Sequence, residues 1–584
     1  MSLRDNESLN KKGRIQLKQI LGTTVALTCL ALTSTVWADV KLPALISDNM
    51  LLQANKPAAI WGSADAGEKV AVSFAGQSLA AVADAQGRWK VSFKPLAADV
   101  HGTLTVTGKN TLTVTNVLVG TVWVCSGQSN MEMGIGMADN AATELPKAKY
   151  PKIRLFRVKN ASKLEPQTDV EGKWVECSPE TLPLQGGWGG FSAVAYFFGR
   201  DIHLATGLPV GLIETCWGGT PAQSWASLAS LQAEPELKGY VEQYENLVKN
   251  LPEVKAKYVK DRAEFQVNYK KWEDEVNKPY QAALKAWDKE AARAKSEGKP
   301  APAKPSLAKA APKNIGAEPD KNSWTPTSLY NGMIVPLVQY AIEGAIWYQG
   351  ESNAGKAQEY RTLFPVMISD WRKQWAQGDF PFYFCQLANF LPKTDKPDDS
   401  QWASLREAQS LTLRLPNTGQ AVLIDIGEQS DIHPRNKQEV GSRLAKIALA
   451  KQFGKGGRYT GPVYSAMKVE GDKIRLSFDT VGGELAAKQL PARYDVKTAQ
   501  NETSPLVRNR PGSPLEGFAI CGADRKWMWA DAVIDGQTVL VSASEVKQPV
   551  AVRYGWANNP TCNLYNKEGL PASPFQTDDG PSGK

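Results

Sequence analysis

Thr121-Val-Trp-Val-Cys-Ser-Gly-Gln-Ser-Asn130 begins as an apolar run and ends in a tight polar turn. An apolar run of this kind is typical of a strand in a parallel sheet, where both faces are buried. Met131-Glu-Met133 follows directly and is suited to begin a helix. The stretch therefore predicts a strand, a turn and a helix. It places the Ser129 hydroxyl at the carboxyl edge of a sheet, where ligands bind in open α/β folds.

Similar apolar runs recur along the chain and are separated by segments of helical length. Two of these segments, residues 192–204 and 438–453, carry apolar side chains at helical spacing. Alternation of buried strands with helices predicts an α/β fold, here a three-layer α/β/α domain with a parallel sheet. Besides 122–125, the predicted strands are residues 153–156, 210–213, 345–348, 382–385 and 421–424.

The α/β pattern is divided into two parts, residues 116–227 and 316–457. Residues 39–115 and 458–584 instead alternate apolar and polar side chains in short runs broken by turns. We therefore expect an N-terminal β-sandwich-like module and a C-terminal β region to flank the α/β domain.

Residues 228–315 interrupt the α/β domain. From Val254 to Trp287, apolar and aromatic side chains are spaced by three, four or seven residues, which indicates one long amphipathic helical face. A crossing rich in Lys, Ala and Pro follows it. We expect an inserted helical hairpin with bends at Pro252 and Pro279.

Residues 1–38 have the features of a signal peptide. Basic side chains precede an apolar run at residues 20–32, and short side chains precede Ala38. We expect cleavage after Ala38 and an exported protein, periplasmic or secreted, with no membrane span after cleavage. The alternatives are a lipid anchor at Cys29 and a membrane-anchoring helix, although the run is shorter than the ~20 residues that a span needs.

The charge of the chain does not favour a polyanionic partner. Its net charge is +8, and loss of residues 1–38, with five basic and two acidic side chains, leaves +5. The basic residues are spread among acidic ones rather than grouped with aromatics, so we expect no nucleic-acid partner. With three histidines and neither a CxxC nor an HExxH motif, we also expect no metal and no cofactor.

A serine hydroxyl becomes a useful nucleophile beside a base, which is usually imidazole. His101 lies in the predicted N-terminal β module and His203 in a predicted helix, which leaves His433. It occurs in Ile424-Asp-Ile-Gly-Glu-Gln-Ser-Asp-Ile-His-Pro434, directly after the last predicted strand of the α/β domain. Loops at such positions hold catalytic groups.

Three carboxylates in that segment could orient His433 through its second ring nitrogen, as the acid of a triad does. Asp431, two residues before the histidine, is the first candidate, and Asp425 and Glu428 are alternatives. A backbone carbonyl could also orient the ring, which would leave a dyad.

Acyl transfer also needs hydrogen-bond donors for the developing oxyanion. Two segments at predicted strand ends offer them. Cys216-Trp-Gly-Gly-Thr-Pro221 supplies the backbone N–H groups of Gly218 and Gly219, and Trp347-Tyr-Gln-Gly-Glu-Ser-Asn353 supplies the side-chain amides of Gln349 and Asn353. Either segment alone could be a plain turn, but together with the serine and the histidine they indicate one site.

Four motifs occur in a fixed order: Gly-Gln-Ser-Asn at 127–130, Trp-Gly-Gly-Thr at 217–220, Trp-Tyr-Gln-Gly-Glu-Ser-Asn at 347–353 and Asp-Ile-His-Pro at 431–434. As a set they resemble the sialate O-acetylesterase family, which belongs to the SGNH hydrolases. The similarity extends from about residue 40 to the C-terminus.

This resemblance implies an SGNH-hydrolase domain that removes acetyl groups from sugars through an acetyl-enzyme. The implied roles are Ser129 as nucleophile, His433 as base, Asp431 as acid, and an oxyanion hole from the Ser129 amide, Gly218 or Gly219, and Gln349 or Asn353. One departure concerns the acid, because many SGNH enzymes have Asp-x-x-His, whereas this chain has Ser430 at that place.

Related members act on acetylated sialic acids or on acetylated plant polysaccharides of the xylan or xyloglucan type. The resemblance therefore implies an acetylated carbohydrate as the substrate. Aromatic side chains near the motifs could stack on a sugar ring or pack in the core. The candidate substrate contacts are Gln128, Trp217, Trp225, Tyr348 and Glu351.

Two other functions fit parts of the sequence. A glycoside hydrolase would use paired carboxylates, with Glu351 and Asp425 as candidates, but would leave Ser129 unexplained. A carbohydrate-binding protein with an idle hydrolase site would fit the β modules and the aromatic content, although every group that catalysis requires is present.

Overall fold

The computed structural model describes residues 39–479, 484–490 and 508–578. The predicted signal peptide, residues 1–38, lies outside this range. The first strands are β1 (Leu51–Gln53), β2 (Ala58–Ser63), β3 (Lys69–Phe74), β4 (Gln77–Val82), β5 (Arg88–Phe93), β6 (His101–Thr107) and β7 (Thr111–Gly127). Buried and exposed side chains alternate along β5, as the period of an amphipathic strand requires.

The middle of the chain alternates helices with short buried strands. In chain order these elements are α1 (Ser129–Glu132), α2 (Ala141–Glu144), β8 (Tyr150–Arg157), β9 (Trp174–Cys177), α3 (Ala193–Thr206), β10 (Val210–Cys216), α4 (Leu228–Gln232), α5 (Lys238–Lys249), α6 (Leu251–Trp272), α7 (Lys278–Ser296), β11 (Gly344–Tyr348), α8 (Ala357–Trp375), β12 (Phe382–Cys385), α9 (Gln401–Leu411), β13 (Thr418–Ala421) and α10 (Lys437–Lys451).

The central sheet has the strand order β13-β12-β11-β7-β10-β8-β9. Its neighbouring strands are parallel, except that β9 pairs with β8 in the antiparallel sense at one edge. Helices α3 and α10 pack on one face, and α8 and α9 pack on the other. The predicted three-layer α/β/α domain is confirmed, and β9 adds an antiparallel edge strand that the sequence pattern did not predict.

The apolar runs are explained by burial on both faces of the sheet. Along β11, Ala345 and Trp347 join the core under α8 and α9, whereas Ile346 and Tyr348 join the core under α3 and α10. Side chains at successive positions of a strand point to opposite faces, so each position must be apolar.

Strand β7 belongs to both the N-terminal β region and the central sheet. Its first part pairs with β1 and β6, and its last part pairs with β10 and β11. The predicted domain boundary between residues 115 and 116 falls inside this continuous strand. One hydrophobic core accordingly extends from Val40 through Trp347 to Ala408.

The insertion differs from the predicted helical hairpin. The helix does not turn back at Pro279, because a π-helical segment, Glu273–Asn277, joins α6 directly to α7. A π-helical turn changes the local hydrogen-bond pattern, which lets a helix continue through a proline. The result is one helical rod over residues 251–296, about 70 Å long at 1.5 Å per residue.

The Lys/Ala/Pro-rich segment that follows lies back along this rod. Trp287 donates its indole N–H to the Pro302 carbonyl at 2.7 Å, and Trp272 donates to the Lys309 carbonyl at 2.8 Å. Near the base of the rod, Lys255 forms ion pairs with Glu318 and Asp320. The aromatic stripe of the helix is thus partly covered by extended chain rather than by a second helix, and Tyr269 stays 42% exposed.

The C-terminal region consists of β-strands, as predicted. They are β14 (Val463–Glu470), β15 (Lys473–Asp479), β16 (Leu485–Ala487), β17 (Phe518–Cys521), β18 (Trp527–Trp529), β19 (Asp531–Asp535), β20 (Thr538–Ser542), β21 (Ala551–Tyr554), β22 (Leu564–Asn566) and β23 (Phe575–Gln576). Val422 and Ile424 pack into the core of this region. The predicted strand at 421–424 therefore ends at Ala421, because the next residues leave the sheet.

Three further features concern the described residues only. Their six cysteines are all buried and unpaired. Within the described ranges, no helix is both long and apolar enough to span a bilayer. The same part of the chain holds no cluster of three or more His, Cys, Asp or Glu side chains that could bind a metal ion.

Candidate active site

The candidate nucleophile lies where β7 ends. Gly127 has a φ of +138°, and a Cβ atom there would lie 2.2 Å from the Tyr348 carbonyl oxygen, so only glycine fits. The next N–H, that of Gln128, donates to the same carbonyl at 3.0 Å. This close approach of two neighbouring strands ends the sheet, and Ser129 then begins α1 with its side chain partly exposed.

His433 lies beside this serine, as predicted. Its Nε2 is 2.9 Å from the Ser129 Oγ, within hydrogen-bond distance. The ring packs edge-on against Trp188, with the ring centroids 4.8 Å apart. Burial lowers the pKa of His433, and the nearby Lys437 cation lowers it further, although Asp431 opposes both effects. A neutral imidazole in this position can accept the serine proton.

Of the three candidate acids, Asp431 is the one that contacts His433. Its Oδ1 accepts the His433 backbone N–H at 2.9 Å and lies 3.4 Å from the ring Nδ1. Asp425 instead forms a two-pronged ion pair with Arg443 and accepts a hydrogen bond from the Tyr565 hydroxyl. Asp425 and Asp431 belong to the same segment, but only Asp431 reaches the ring, because Asp425 turns toward Arg443 of α10.

Glu428 is the remaining candidate acid, and its hydrogen bond is to Arg435 rather than to the His433 ring. Its Oε1 accepts a long hydrogen bond of 3.4 Å from the Arg435 backbone N–H. Burial raises the pKa of this carboxyl group. The other two histidines have no part in the site: His101 lies on β6, and the His203 Nδ1 is 2.7 Å from the Leu208 carbonyl at the end of α3.

The two glycines proposed for the oxyanion hole differ in their surroundings. Gly218 lies beside the candidate nucleophile, since a Cβ atom there would be 3.3 Å from the Ser129 Cβ. Its N–H is already donated to Glu132 Oε2 at 2.6 Å. Gly219 has a φ of +72° and is exposed. Gly218 thus shapes the wall of the site, and Gly219 presents open backbone.

The two candidate amide side chains are linked to each other. Gln349 donates its amide hydrogens to Asn353 Oδ1 at 2.7 Å and to the Thr220 carbonyl at 3.3 Å. Asn353 Nδ2 donates to Gln223 Oε1 at 3.1 Å. Among the described residues, nothing accepts the second Asn353 amide hydrogen. Gln349 therefore orients Asn353, which keeps one donor available.

Two of the candidate sugar contacts are wrong. Trp225 and Tyr348 are both 0% exposed, so neither ring can stack on a sugar. Trp225 packs edge-on against Trp347, and Tyr348 lies within the sheet. Their nearness to the motifs reflects core packing under the sheet edge. Trp217 is half-buried against the core, which leaves part of its ring accessible.

Gln128 and Glu351 form hydrogen bonds that join the segments of the site to one another. Gln128 is 3% exposed, and its Oε1 accepts the backbone N–H groups of Gly350 and Ser352 at 3.4 and 3.3 Å. It therefore ties the nucleophile turn to the loop after β11. Glu351 accepts a hydrogen bond from Asn130 Nδ2 at 2.5 Å, and burial raises the pKa of its carboxyl group.

A first polar cluster beside the nucleophile was not predicted. Arg157, from β8, forms ion pairs with Glu132 and with the fully buried Glu214 of β10. Glu132 then holds Gly218, as described above. Glu132 lies three residues after Ser129, one helical turn along α1, and this spacing is the signal that could have identified it.

A second cluster joins the nucleophile turn to the histidine loop. Asn130 Nδ2 donates to Glu351 Oε1 and to the Ile432 carbonyl, and Asn130 Oδ1 accepts from Lys437 Nζ at 2.5 Å. Lys437 is 0% exposed. Its position four residues after His433 is a weak sequence signal for a role in the site, because Lys437 already belongs to the next helix, α10.

A family model described as "carbohydrate esterase, sialic acid-specific acetylesterase" matches residues 119–289 and 312–450. The match includes Ser129, His433 and the segments that form the walls of the site. The unmatched interval falls at the tip of the insertion and in the chain that returns along it.

Full-length relatives have the same activity in their names. Sialate O-acetylesterase of Mus musculus is 28% identical over 575 residues, which cover 90% of this chain and 92% of that protein. The Homo sapiens protein of the same name is 27% identical over 606 residues, covering 94% and 97%.

Among solved structures, the chain is similar to a novel carbohydrate acetylesterase from Xanthomonas citri. The two are 34% identical with a TM-score of 0.70, and the match covers 92% of this chain and 99% of that one. The family model matches more than half of the chain, and this structure matches nearly all of it. The chain therefore belongs to the sialic acid-specific acetylesterase family of carbohydrate esterases and is a carboxylic ester hydrolase that acts on O-acetylated carbohydrates.

Proposed function

We propose that the protein is a serine esterase in which Ser129 carries the acetyl group during turnover. His433 Nε2 takes the hydroxyl proton as Ser129 Oγ attacks the acetyl carbonyl, and the tetrahedral intermediate then expels the sugar oxygen. That oxygen receives the proton from His433, which leaves an acetyl-enzyme and the free sugar hydroxyl. The observation that carries the proposal is the 2.9 Å separation of Ser129 Oγ and His433 Nε2.

Water completes the cycle by the same route. His433 takes a proton from water, whose oxygen attacks the acetyl carbonyl, and the proton returns to Ser129 Oγ as acetate leaves. Asp431 holds the ring through its contact with Nδ1 and favours the imidazolium that forms in both steps.

We assign the oxyanion to the Ser129 N–H, the Gly219 N–H and the free amide hydrogen of Asn353. Gly218 and Gln349 were also candidates, but the Gly218 N–H and both Gln349 amide hydrogens are donated to other groups. Donors that are fixed before the reaction stabilise the charge without reorganisation.

Acetate release from an aryl acetate tests the mechanism. The mature protein should release acetate, and Ser129→Ala and His433→Ala should each lower kcat by several orders of magnitude while circular dichroism stays unchanged. Full activity in Ser129→Ala would refute the proposal. A folded parent that is inactive on aryl acetates and on acetylated sugars would instead favour the carbohydrate-binding alternative.

For the substrate, we propose O-acetylated sialic acid ahead of acetylated xylan or xyloglucan. A cavity of about 560 Å³ is lined by Arg157, Lys159 and Lys173, with Glu171 as its one carboxylate among the described residues. It adjoins the nucleophile through Glu132, which contacts both Arg157 and Gly218. Arg157 is already paired with Glu132 and Glu214, and Lys159 with Glu171, whereas Lys173 forms no ion pair within the described residues. Lys173 is therefore the cation of this lining that suits the carboxylate that distinguishes sialic acid from neutral sugars.

Competition between substrates tests this assignment. We expect kcat/KM for O-acetylated N-acetylneuraminic acid to exceed that for acetylated xylo-oligosaccharides, and Lys173→Gln to lower the first value about 10-fold without affecting the second. Lys149→Gln, an exposed lysine outside the cavity, is the control. Equal losses on both substrates in Lys173→Gln, or a preference for xylan in the parent, would contradict it.

We also propose that the protein is exported, to the periplasm or the medium, on the evidence of residues 1–38. Expression of the full chain should yield a product whose N-terminus is Asp39. An uncleaved product in the cytoplasmic fraction would contradict this proposal.

A further inference from the structure

The Asn130 side-chain amide is surrounded by two buried charges. Lys437 Nζ lies 2.5 Å from its oxygen, and Glu351 Oε1 lies 2.5 Å from its nitrogen. The second amide hydrogen is donated to the Ile432 carbonyl at 3.0 Å. A single amide thus spans the nucleophile turn, the loop after β11, the histidine loop and the start of α10.

This arrangement fixes which way the amide faces. The cation lies against the partially negative oxygen, and the carboxylate lies against the partially positive NH₂ group. A flipped amide would place NH₂ against the ammonium and oxygen against the carboxylate, which is unfavourable for both buried groups. The orientation shown is the one that also donates a hydrogen to the residue before His433.

Packing alone does not require a lysine here. Lys437 is fully buried, and its ammonium lies 5.2 Å from the centre of the Tyr348 ring. Burial of an ammonium and a carboxylate costs several kcal/mol each, and apolar side chains of similar volume often replace such pairs without loss of stability. A charged pair kept one residue from the nucleophile therefore points to a role in the reaction.

We propose that Lys437 is a positioning residue: with Glu351 it locks the Asn130 amide, which clamps the histidine loop onto the nucleophile turn and so sets the Ser129–His433 distance. The inference rests on the serine mechanism proposed above and extends it. It adds a buried ion pair, bridged by an amide, to the Ser–His–Asp arrangement.

The same cation acts on His433 through space. Burial is the first cause of the lowered His433 pKa and Lys437 is the second, while Asp431 raises it. Other charges near the loop are Glu428 and Arg435 on the loop itself, Asp139 before α2, Glu351 after β11 and Glu132 on α1. Lys437 thus helps to keep the resting imidazole neutral.

Lys437 should also set the alkaline limit of the reaction. Burial lowers its pKa to about 8, even though Glu351 raises it. Above that pH the neutral amine is a weaker donor to the Asn130 oxygen, and its charge no longer holds the amide in this orientation. The parent should therefore lose activity as the pH rises through about 8, in addition to losing it at low pH when His433 is protonated.

Lys437→Met is the main test, with aryl acetate as substrate and kcat measured across pH. We expect kcat to fall about 10- to 100-fold with little change in KM, because the reacting groups are misplaced while substrate contacts remain. The acid limb should move to higher pH, since a cation near His433 is removed, and the alkaline limb near 8 should disappear. Lys451→Met is the control: its exposed side chain lies at the end of the same helix and its amine donates to the Thr418 carbonyl, so both limbs should stay in place.

Glu351→Gln provides a second variant of nearly equal volume. Loss of the carboxylate should lower the Lys437 pKa further, so the alkaline limb should move to lower pH. The double variant Glu351→Gln/Lys437→Met should lose no more activity than the worse single variant, because both residues act on one amide.

The inference fails if Lys437→Met leaves kcat and both limbs as in the parent, or if it lowers kcat without moving either limb, as a merely structural lysine would. Additive losses in the double variant would also overturn it. These outcomes leave the serine mechanism intact, whereas activity in Ser129→Ala would refute that mechanism whatever Lys437 does.

Discussion

Asp431 is the residue at which this chain departs from the usual SGNH spacing, and its contact with His433 gives a sharp expectation. Because Asp431 raises the pKa of His433, Asp431→Asn should move the acid limb of the kcat profile to lower pH. It should also lower kcat about 100-fold or more, since the imidazolium loses its partner. A profile measured on aryl acetate checks both effects, and an acid limb that moves to higher pH would contradict this role.

The two residues to which we assign the proton transfer were the easiest to locate from the sequence. Ser129 and His433 follow from the need for a base and from positions at strand ends, and the structure brings them to 2.9 Å. Asn130 and Lys437 were missed because their link depends on how two distant loops pack. Trp225 and Tyr348 were placed at the sugar because a sequence shows nearness to a motif but not whether a ring lies under the sheet.

At the scale of elements, Asp425 links α10 to the C-terminal β region. Its carboxylate accepts from Arg443 of α10 and from Tyr565 of β22. Asp425→Asn removes one of the two carboxylates paired with the buried Arg443 guanidinium, while Glu439 remains, which should lower the free energy of unfolding by about 1.5–3 kcal/mol. Urea unfolding measures this, and the acid limb of kcat should not move, unlike that of Asp431→Asn.

The pH dependence of that link has a definite sign. Burial opposes the charged form of Asp425, but the hydrogen bonds from Arg443 and Tyr565 outweigh it and lower the pKa of the carboxyl group. Its stabilising contribution is therefore present above the ordinary aspartate range and is lost as the pH falls through the lowered pKa. The parent should therefore lose more stability than Asp425→Asn as the pH falls through that range. Equal losses in the two proteins would contradict the role of the Asp425 carboxylate.

The helical rod of the insertion depends on two indole hydrogen bonds to the returning chain. Trp272→Ala removes the bond to the Lys309 carbonyl and a large apolar contact, so the segment at 298–316 should detach locally. Limited proteolysis should then cut that segment at least several-fold faster, while aryl-acetate activity stays as in the parent. Val267→Ala, an exposed position on the same helix, is the control, and equal cleavage rates in both variants would contradict this prediction.

The length of this rod could not be read from the sequence. Pro279 normally breaks a helix, and the π-helical segment before it is a property of local backbone geometry rather than of residue type. The periodic aromatic stripe correctly indicated a long helix, but it did not identify extended chain as the partner of that stripe.

At the scale of the whole molecule, the shared strand β7 makes the N-terminal β region part of the hydrolase core. A chain that begins at residue 116 would lose the strands that pair with the first part of β7 and would expose its buried side chains. We expect that truncated protein to be insoluble or to lack a cooperative thermal transition. A soluble fragment with parental activity and melting behaviour would show that the region is dispensable.

The order of layers was predictable because buried strands and amphipathic helices have distinct periods. The boundaries between regions were less predictable, since β7 and the segment at residues 422–424 each contribute to two cores. A change of composition along a chain indicates a change of architecture. Strand β7 shows no such change at the point where its partners change from the N-terminal strands to those of the central sheet.

The central claim is that Ser129 is the nucleophile, and covalent labelling with a fluorophosphonate tests it most directly. Such reagents react with a serine that an adjacent base activates. Mass spectrometry of the peptides should find one adduct, on Ser129, whose extent matches the loss of esterase activity, and none in His433→Ala. An adduct on another residue, or full activity after complete labelling of Ser129, would contradict the account.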